Sequence, residues 1–297
     1  MDPDNRDFLK LLLETEAGVN ALLAILGAGL FRAIRLNARR PARLRKAIDQ
    51  LIEDYVNSYQ VLVTDAVINT AGLQADKNAA KLVPLLQAAG AVNEAERMGR
   101  NFRGYREVIR RRFPTQRHPE DEQTFVNRVV NVRRGFQRTV YQMVQTGVDQ
   151  GTDPRKLAFQ IRDFVVMTPK AQPSQSYRDA ARLRNRASTY VARGAPSGSI
   201  QYNSMRIVRT EMAGVYRRSV TDFYDDRPYT EGFDWVRSNR HTKIDRCDGW
   251  AEGGPYTAQN IPPGHPHCLC RLVARSCHSG KLWHLLPAAT LIEIIRR

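Results

Sequence analysis

Apolar residues recur every three or four positions along most of the chain, which is the pattern of amphipathic helices. The clearest example follows a break at residues 37–41, and its apolar stripe consists of Leu44, Ile48, Leu51, Ile52, Tyr55, Tyr59 and Leu62. Comparable patterns predict further helices over residues 4–36, 95–113, 125–150 and 200–224. We therefore expect a predominantly helical chain up to about residue 224.

Local signals divide this helical part. Asp153 and Pro154 follow Gly151, and Asp as N-cap with Pro at the first helical position predicts that a new helix starts there. Residues 168–176 contain two prolines, two serines and two glutamines, a composition typical of a linker. Beyond Pro228 the apolar runs become short and turn residues become frequent, which indicates short strands.

These observations predict a mostly α fold in three parts. Residues 1–167 are expected to form an N-terminal helical domain, and residues 168–199 a linker that contains a helix. Residues 200–297 are expected to begin with a long helix and to continue as a small, turn-rich α+β C-terminal module. A basic helix that includes residues 285–295 closes this module.

Composition adds a strong positive charge to this picture. The 297 residues carry 46 Lys+Arg against 30 Asp+Glu, a formal net charge of +16. A surplus of this size favours a polyanionic partner, either nucleic acid or an acidic protein surface. Two basic clusters are candidate contacts to nucleic acid: Arg39, Arg40, Arg43, Arg45 and Lys46, and then Arg110, Arg111 and Arg112. The alternative for each cluster is a solvated helix end.

The N-terminal segment and the cysteines favour a cytosolic environment. Residues 1–4 are acidic where a signal peptide is basic, so we expect no signal peptide. The longest apolar run, residues 21–31, is about half of the ~20 residues that span a bilayer, which favours a packed helix over stable membrane insertion. The four cysteines all lie in the last third of the chain, which argues against a disulfide framework.

Residues 261–270 read Ile-Pro-Pro-Gly-His-Pro-His-Cys-Leu-Cys and place two imidazoles and two thiols directly after a tight bend. Such ligands suit a tetrahedral ion such as Zn²⁺, with a third thiol from an earlier turn. The candidate metal ligands are Cys247, His267, Cys268 and Cys270, with His265 or His241 as substitutes for His267. Two alternatives stay open. Cys268 and Cys270 pack on one face of a short strand, or Cys247 forms a disulfide with one of them.

The chain combines an Arg209-Thr210-Glu211 helix, a Phe233-Asp234-Trp235 strand, a turn bearing Cys247, and the closing Pro-Pro-x-His-Pro-x-Cys-x-Cys of residues 262–270. Together these motifs resemble the phage Mu protein F-like family of minor head proteins. The segment from Gly147 to Leu157 also resembles the helix–Gly–helix step of that family. The similarity covers roughly residues 139–275. The chain departs from the family at Trp250, where a second cysteine is common, and at His267 and Leu269, where Asn and Arg are usual.

The resemblance implies a virion component with no established chemistry. Its expected place is the head interior near the portal vertex, after assembly in the host cytoplasm, with a role in head morphogenesis or DNA ejection. The implied partners are the portal protein and the major capsid protein, and the positive charge adds packaged DNA, contacted without sequence specificity.

Arg209 and Glu211 lie about 200° apart on a helical wheel, so they do not pair with each other on one face. We expect them to act as a structural clamp between the helix and the C-terminal module, since an unpaired buried charge is costly. The alternative is an enzyme, either a metal-dependent nuclease with His241 as its base or a toxin-like effector. Without an evident pair of acidic ligands, we expect no enzyme.

Overall fold

A computed structural model describes residues 3–38, 40–88, 90–118, 122–165, 200–225, 227, 230–238, 244–265 and 268–276. Within these ranges the chain has seven helices and a small antiparallel sheet of two strands, and the fold is 77 % helical. The predicted mostly α fold with a small α+β C-terminal part is therefore confirmed. The predicted linker at residues 168–199 and the closing helix around residues 285–295 lie outside the described residues.

Among the described residues before 225, almost all lie in helices. These helices are α1 (Pro3–Asn37), α2 (Pro41–Ala88), α3 (Val92–Arg112), α4 (Phe125–Asp149), α5 (Pro154–Val165) and α6 (Ile200–Tyr224). The C-terminal lobe, which we define as the described residues from 230 to 276, contains β1 (Thr230–Val236), the short helix α7 (Arg246–Glu252) and β2 (Arg271–Ser276).

Side-chain caps set the limits of the middle helices. The Thr124 side chain accepts a hydrogen bond from the Asn127 backbone N–H and so caps the start of α4. Asp153 accepts from the N–H of Arg155 at 2.8 Å, directly before the first helical residue, Pro154. Gly151 between these helices has φ +59°, a backbone conformation that residues other than glycine rarely adopt. The helix restart predicted at Asp153 is confirmed.

The first helix has the length and apolarity of a membrane span. An 18-residue window within Arg6–Asn37 reaches a mean hydropathy of 1.7, and 44 % of that window is buried. Its fully buried side chains follow one stripe, which consists of Phe8, Leu12, Val19, Leu23, Leu26, Leu30 and Ile34. This spacing is typical of a helix packed against protein. Packing rather than membrane insertion therefore stays our prediction for α1.

The chain forms two compact units that do not follow its linear order. One unit comprises residues 1–11, 65–122 and 209–297, and the other comprises residues 12–64 and 123–208. The division predicted at residues 167 and 200 follows chain order, and it stays a prediction.

In the second unit, α2 is tied to the start of α6 by two tyrosines. Tyr55 and Tyr59 stack with ring centroids 5.8 Å apart. The Tyr55 hydroxyl lies 2.7 Å from Ser204 Oγ, and the Tyr59 hydroxyl donates to the Ser204 carbonyl at 2.7 Å. These buried hydrogen bonds satisfy polar groups that would otherwise destabilise an apolar interior.

In the first unit, α3 packs on the C-terminal half of α6. Phe102 and Tyr105 lie against Phe223, with ring centroids 4.6 and 4.5 Å apart. The Tyr105 hydroxyl donates to Asp222 at 2.6 Å, within a largely apolar contact. The last turns of α6 are therefore fixed by both aromatic packing and a charged hydrogen bond.

Candidate metal centre

The C-terminal lobe is built on the pairing of β1 with β2. The strands are antiparallel, and Trp235 lies opposite Leu272. The inward side chains Phe233, Trp235 and Leu272 form a buried cluster with Val220 of α6 and with three cysteines, Cys247, Cys268 and Cys270. Cys247 lies on α7, and the other two directly precede β2. The fold of the lobe thus brings Cys247 to Cys268 and Cys270, which follow it by at least 21 residues in sequence.

The three thiols lie close enough to share one ion. Their sulfur atoms are all within 4.8 Å of one another, and the residues are 0, 2 and 4 % exposed. Cys247 Sγ and Cys268 Sγ are 3.4 Å apart, far beyond a disulfide bond of about 2.05 Å. In a tetrahedral zinc site with Zn–S of about 2.3 Å the separation is about 3.8 Å. The cluster could therefore hold a metal ion, and all three cysteines are free thiols in this structure.

His265 lies beside the same cluster. Its Nε2 atom is 3.1 Å from Cys247 Sγ and 3.1 Å from Asp245 Oδ2. Asp245 caps α7 in a capping box with Asp248, and its other carboxylate oxygen accepts from the Cys247 N–H. The cap fixes the first turn of α7 and, with it, the position of the Cys247 thiol.

The loop before β2 is shaped by one glycine and one turn. Gly264 has φ +74°, a conformation that favours glycine. The Cys268 N–H then donates to the His265 carbonyl at 3.0 Å, which brings His265 and Cys268 to the same end of the loop. On the other side, the Ser238 backbone N–H lies 3.4 Å from Cys270 Sγ and donates to it. Donors to sulfur of this kind favour the thiolate form.

Burial and mutual contact raise the pKa values of Cys247 and Cys268 and so favour their protonated thiol forms. Contacts with Cys268 and Cys270, followed by burial, raise the pKa of Cys247 far above its ordinary value. For Cys268 the hydrogen bond with Cys247 lowers the pKa, but contact with Cys270 and burial outweigh it and raise the pKa to about 11. A bound cation removes this penalty because metals bind thiolates.

The residue that sequence reasoning missed is Arg217 on α6. It is 5 % exposed, its Nη1 donates to the Cys270 carbonyl at 3.1 Å, and its guanidinium lies 5.4 Å from the centre of the Trp235 ring. Burial lowers the pKa of Arg217, and the three cysteines oppose this shift only in their thiolate forms. No carboxylate in the described part of the chain forms an ion pair with this arginine.

Only part of the predicted ligand set can be placed. The structure brings Cys247, Cys268 and Cys270 together and adds His265, the predicted substitute, beside Cys247. His267 and His241 lie outside the described residues. The choice among the three histidines therefore stays a prediction.

The predicted clamp residues lie on α6. Glu211 is 7 % exposed and Arg209 is half-buried. Burial lowers the pKa of Arg218, and the charges of Asp222 and Glu211 oppose this shift, so Glu211 lies near an arginine of its own helix. Arg217 makes one of the contacts that join α6 to the C-terminal lobe, and the clamp role of Arg209 and Glu211 stays a prediction.

The predicted basic clusters lie at solvent-exposed helix ends. Arg40, Arg43, Arg45 and Lys46 are exposed at the start of α2, and Arg39 lies outside the described residues. Arg110, Arg111 and Arg112 are exposed at the end of α3. Two of them pair with Glu107, Arg110 at 2.6 Å and Arg111 at 3.7 Å. Exposed pairs of this kind are weak and leave the arginines accessible to a polyanion.

The chain matches no protein family, no curated protein and no solved structure with which it was compared.

Proposed function

We propose that this protein is a minor head protein of a tailed phage and that its C-terminal lobe is a zinc-stabilised docking module. One observation carries the proposal. The resembling motifs at residues 209–211, 233–235, 247 and 262–270 are spread over more than 60 residues of sequence. They nevertheless lie in one compact unit, in which α6 contacts the Cys-bearing lobe through Arg217, whereas the Gly147–Leu157 segment lies in the other unit. This convergence supports a shared module rather than a chance run of motifs.

Zinc is the metal that fits this donor set. Buried thiols with an adjacent imidazole suit Zn²⁺, whereas magnesium and calcium select oxygen ligands. A lobe of two short strands and one short helix has a small apolar core. Metal ligation is a common means of stabilising so small a fold. We therefore assign the ion a structural role.

The burial of the thiols favours structure over catalysis. A hydrolytic zinc site keeps an open coordination position for water, whereas structural sites are closed. Here the three cysteines are at most 4 % exposed and lie in the core with Phe233 and Trp235. A metal-dependent nuclease or a toxin-like effector is therefore the weaker alternative for this lobe.

The helical body supplies the proposed contact to packaged DNA. Seven arginines and three glutamates lie on α3, whose opposite side is buried through Ala95, Met98, Phe102, Tyr105 and Ile109. Charge on one exposed side of a rigid helix favours contact with phosphates without reading of the base sequence. The exposed start of α2 offers a second basic surface of this kind.

The test is the location of the protein. Particles released from cells that carry its gene are purified on a density gradient, and their proteins are identified by mass spectrometry. We expect the chain in intact heads and in complexes purified through a tagged portal protein. Its absence from purified particles contradicts the proposal. Cleavage of plasmid DNA by the purified chain with Mg²⁺ or Zn²⁺ supports the nuclease alternative.

A further inference from the structure

The buried charge of Arg217 is the unexplained feature of the C-terminal lobe. An arginine keeps its proton in proteins, so its burial brings a full positive charge into the core. Such a charge is strongly destabilising unless an anion or several hydrogen bonds compensate it. The described contacts of Arg217 are one carbonyl, that of Cys270, and the face of Trp235.

The groups that face Arg217 are the three thiols. Its surroundings within the described chain include Cys268, Cys247 and Cys270, and the other charged neighbour is a second cation, Arg218. Neutral thiols offer no charge to balance a guanidinium. Three thiolates, one neutral imidazole and one Zn²⁺ carry a net charge of −1, which a single arginine neutralises.

We propose that Cys247, Cys268, Cys270 and His265 form a zinc centre and that Arg217 is its buried counter-charge. The inference rests on the proposed zinc-holding role of the lobe and adds the fourth ligand and the residue that ties the centre to α6. His265 is the proposed fourth ligand because its Nε2 contacts Cys247 Sγ at 3.1 Å. Its present neighbours are Cys247 and Asp245, so the imidazole has to shift towards Cys268 and Cys270 to complete the site. Asp245, the other candidate there, is engaged in the cap of α7.

The arrangement couples metal loading to docking of the lobe on α6. When the anionic centre is present, Arg217 bridges it to α6 through charge and through its bond to the Cys270 carbonyl. When zinc is removed, the guanidinium remains buried without an anion, and the contact between lobe and helix weakens.

The ligands are tested on the full-length chain, purified under reducing conditions. We expect one zinc ion per chain by elemental analysis and three sulfurs with one nitrogen around it by X-ray absorption spectroscopy. With Co²⁺ as the probe, the spectrum of a tetrahedral thiolate site is expected. His265→Ala should abolish this spectrum, whereas His267→Ala and Asp245→Asn should retain it. A purified chain that contains no zinc overturns the assignment. It is also overturned if His265→Ala retains the spectrum while His267→Ala or Asp245→Asn loses it.

The counter-charge is tested by zinc affinity, measured in competition with a chromogenic chelator. Arg217→Met should weaken zinc binding by about 10- to 100-fold, the usual range for residues that support metal ligands. The control is Arg275→Gln, which removes the same charge from an exposed arginine of β2 that pairs with Asp234 at 2.8 Å. Equal zinc affinities in the two variants overturn the role of Arg217.

A second comparison separates this role from simple packing. In a background with Ser at all three cysteine positions, no thiolate can balance Arg217, so Arg217→Met should leave stability unchanged or raise it. If Arg217 only packs, Arg217→Met lowers the stability by the same amount with the cysteines present and with serines in their place. That result also overturns the proposal. These measurements use the purified chain and do not depend on where the protein is located. They can therefore contradict the zinc centre while the protein is found in virions, and the protein can be absent from virions while the zinc centre is confirmed.

Discussion

At the residue scale, the position of Arg217 depends on the absence of a side chain at Gly264. A Cβ built on Gly264 would lie 2.5 Å from Arg217 Nη2, closer than real atoms approach. The backbone of Gly264 also has φ +74°. Glycine is therefore required at this position for two separate reasons. It leaves space for the guanidinium, and it adopts the left-handed backbone conformation of the loop.

We predict that Gly264→Ala destabilises the protein by about 2 kcal/mol or more. About 1–2 kcal/mol comes from the left-handed conformation, and displacement of Arg217 adds to it. Denaturant unfolding followed by circular dichroism measures the change. The matched control is Gly249→Ala in α7, where a Cβ meets nothing within 4 Å and alanine favours the helix. Equal stabilities of the two variants would contradict the prediction.

The thiol cluster was predictable from sequence, but Arg217 was not. Three cysteines and two histidines within residues 247–270 stand out by their chemistry alone. Arg217 is one of many arginines and follows Tyr216 on a helix that is buried on most sides. The single local signal is that positions 213, 214, 220 and 221 hold no Asp or Glu that could pair with it along the helix.

At the element scale, the step from α4 to α5 depends on close packing at Gly147. A Cβ on Gly147 would lie 2.7 Å from Leu157 Cδ1, and Leu157 is buried. The two residues are the ends of the segment that resembles the family's helix–Gly–helix step. A small residue at 147 therefore permits the contact between the two helices.

We predict that Gly147→Val destabilises the protein by about 1–3 kcal/mol, because an overpacked contact forces Leu157 away from α4. Gly135→Val in the same helix is the control, since nothing lies within 4 Å of a Cβ there and both variants change helix propensity alike. Thermal unfolding of both proteins measures the difference. A smaller loss for Gly147→Val than for Gly135→Val would exclude this packing role.

The contact between α3 and α6 predicts sensitivity to alkali. Burial, followed by the charge of Asp222, raises the pKa of Tyr105 far above its ordinary value of 10.0. Above pH 10 the unfolded chain releases this proton while the folded chain keeps it. Stability is therefore fully present below about pH 10 and falls as the pH rises further. Tyr105→Phe should lose about 1 kcal/mol at pH 7. This loss should shrink by pH 11 in urea unfolding, and a constant difference would contradict the assignment.

Helix limits followed from local sequence, whereas strand pairing did not. The cap at Asp153 and the glycine at 151 act within a few residues, so their effect is readable from the chain. The pairing of Trp235 with Leu272 joins residues 37 positions apart, and its register depends on packing in the lobe. Sequence therefore predicts the presence of strands there but not which residues face the cysteines.

At the scale of the whole molecule, the net charge of +16 is unevenly placed. One side of α3 carries Arg97, Arg100, Arg103, Arg110 and Arg111, all exposed, and we name this set the α3 arginine face. Four of the five form ion pairs with glutamates of the same helix. Because exposed pairs contribute at most about 1 kcal/mol, phosphates can replace the glutamates as partners.

We predict that the α3 arginine face dominates binding to double-stranded DNA. Each phosphate contact contributes about 0.9 to the slope of log K against log salt, so changing Arg100, Arg103 and Arg110 to Gln should reduce the slope by about 2.7. Fluorescence anisotropy with DNA of two unrelated sequences measures it, and both should bind alike. The control changes Arg155, Lys156 and Arg162 of α5 to Gln, which removes the same charge from exposed residues outside either basic cluster. If both triple variants lower the slope equally, net charge rather than this face governs binding, because a localised contact responds only to the charges that touch the phosphates.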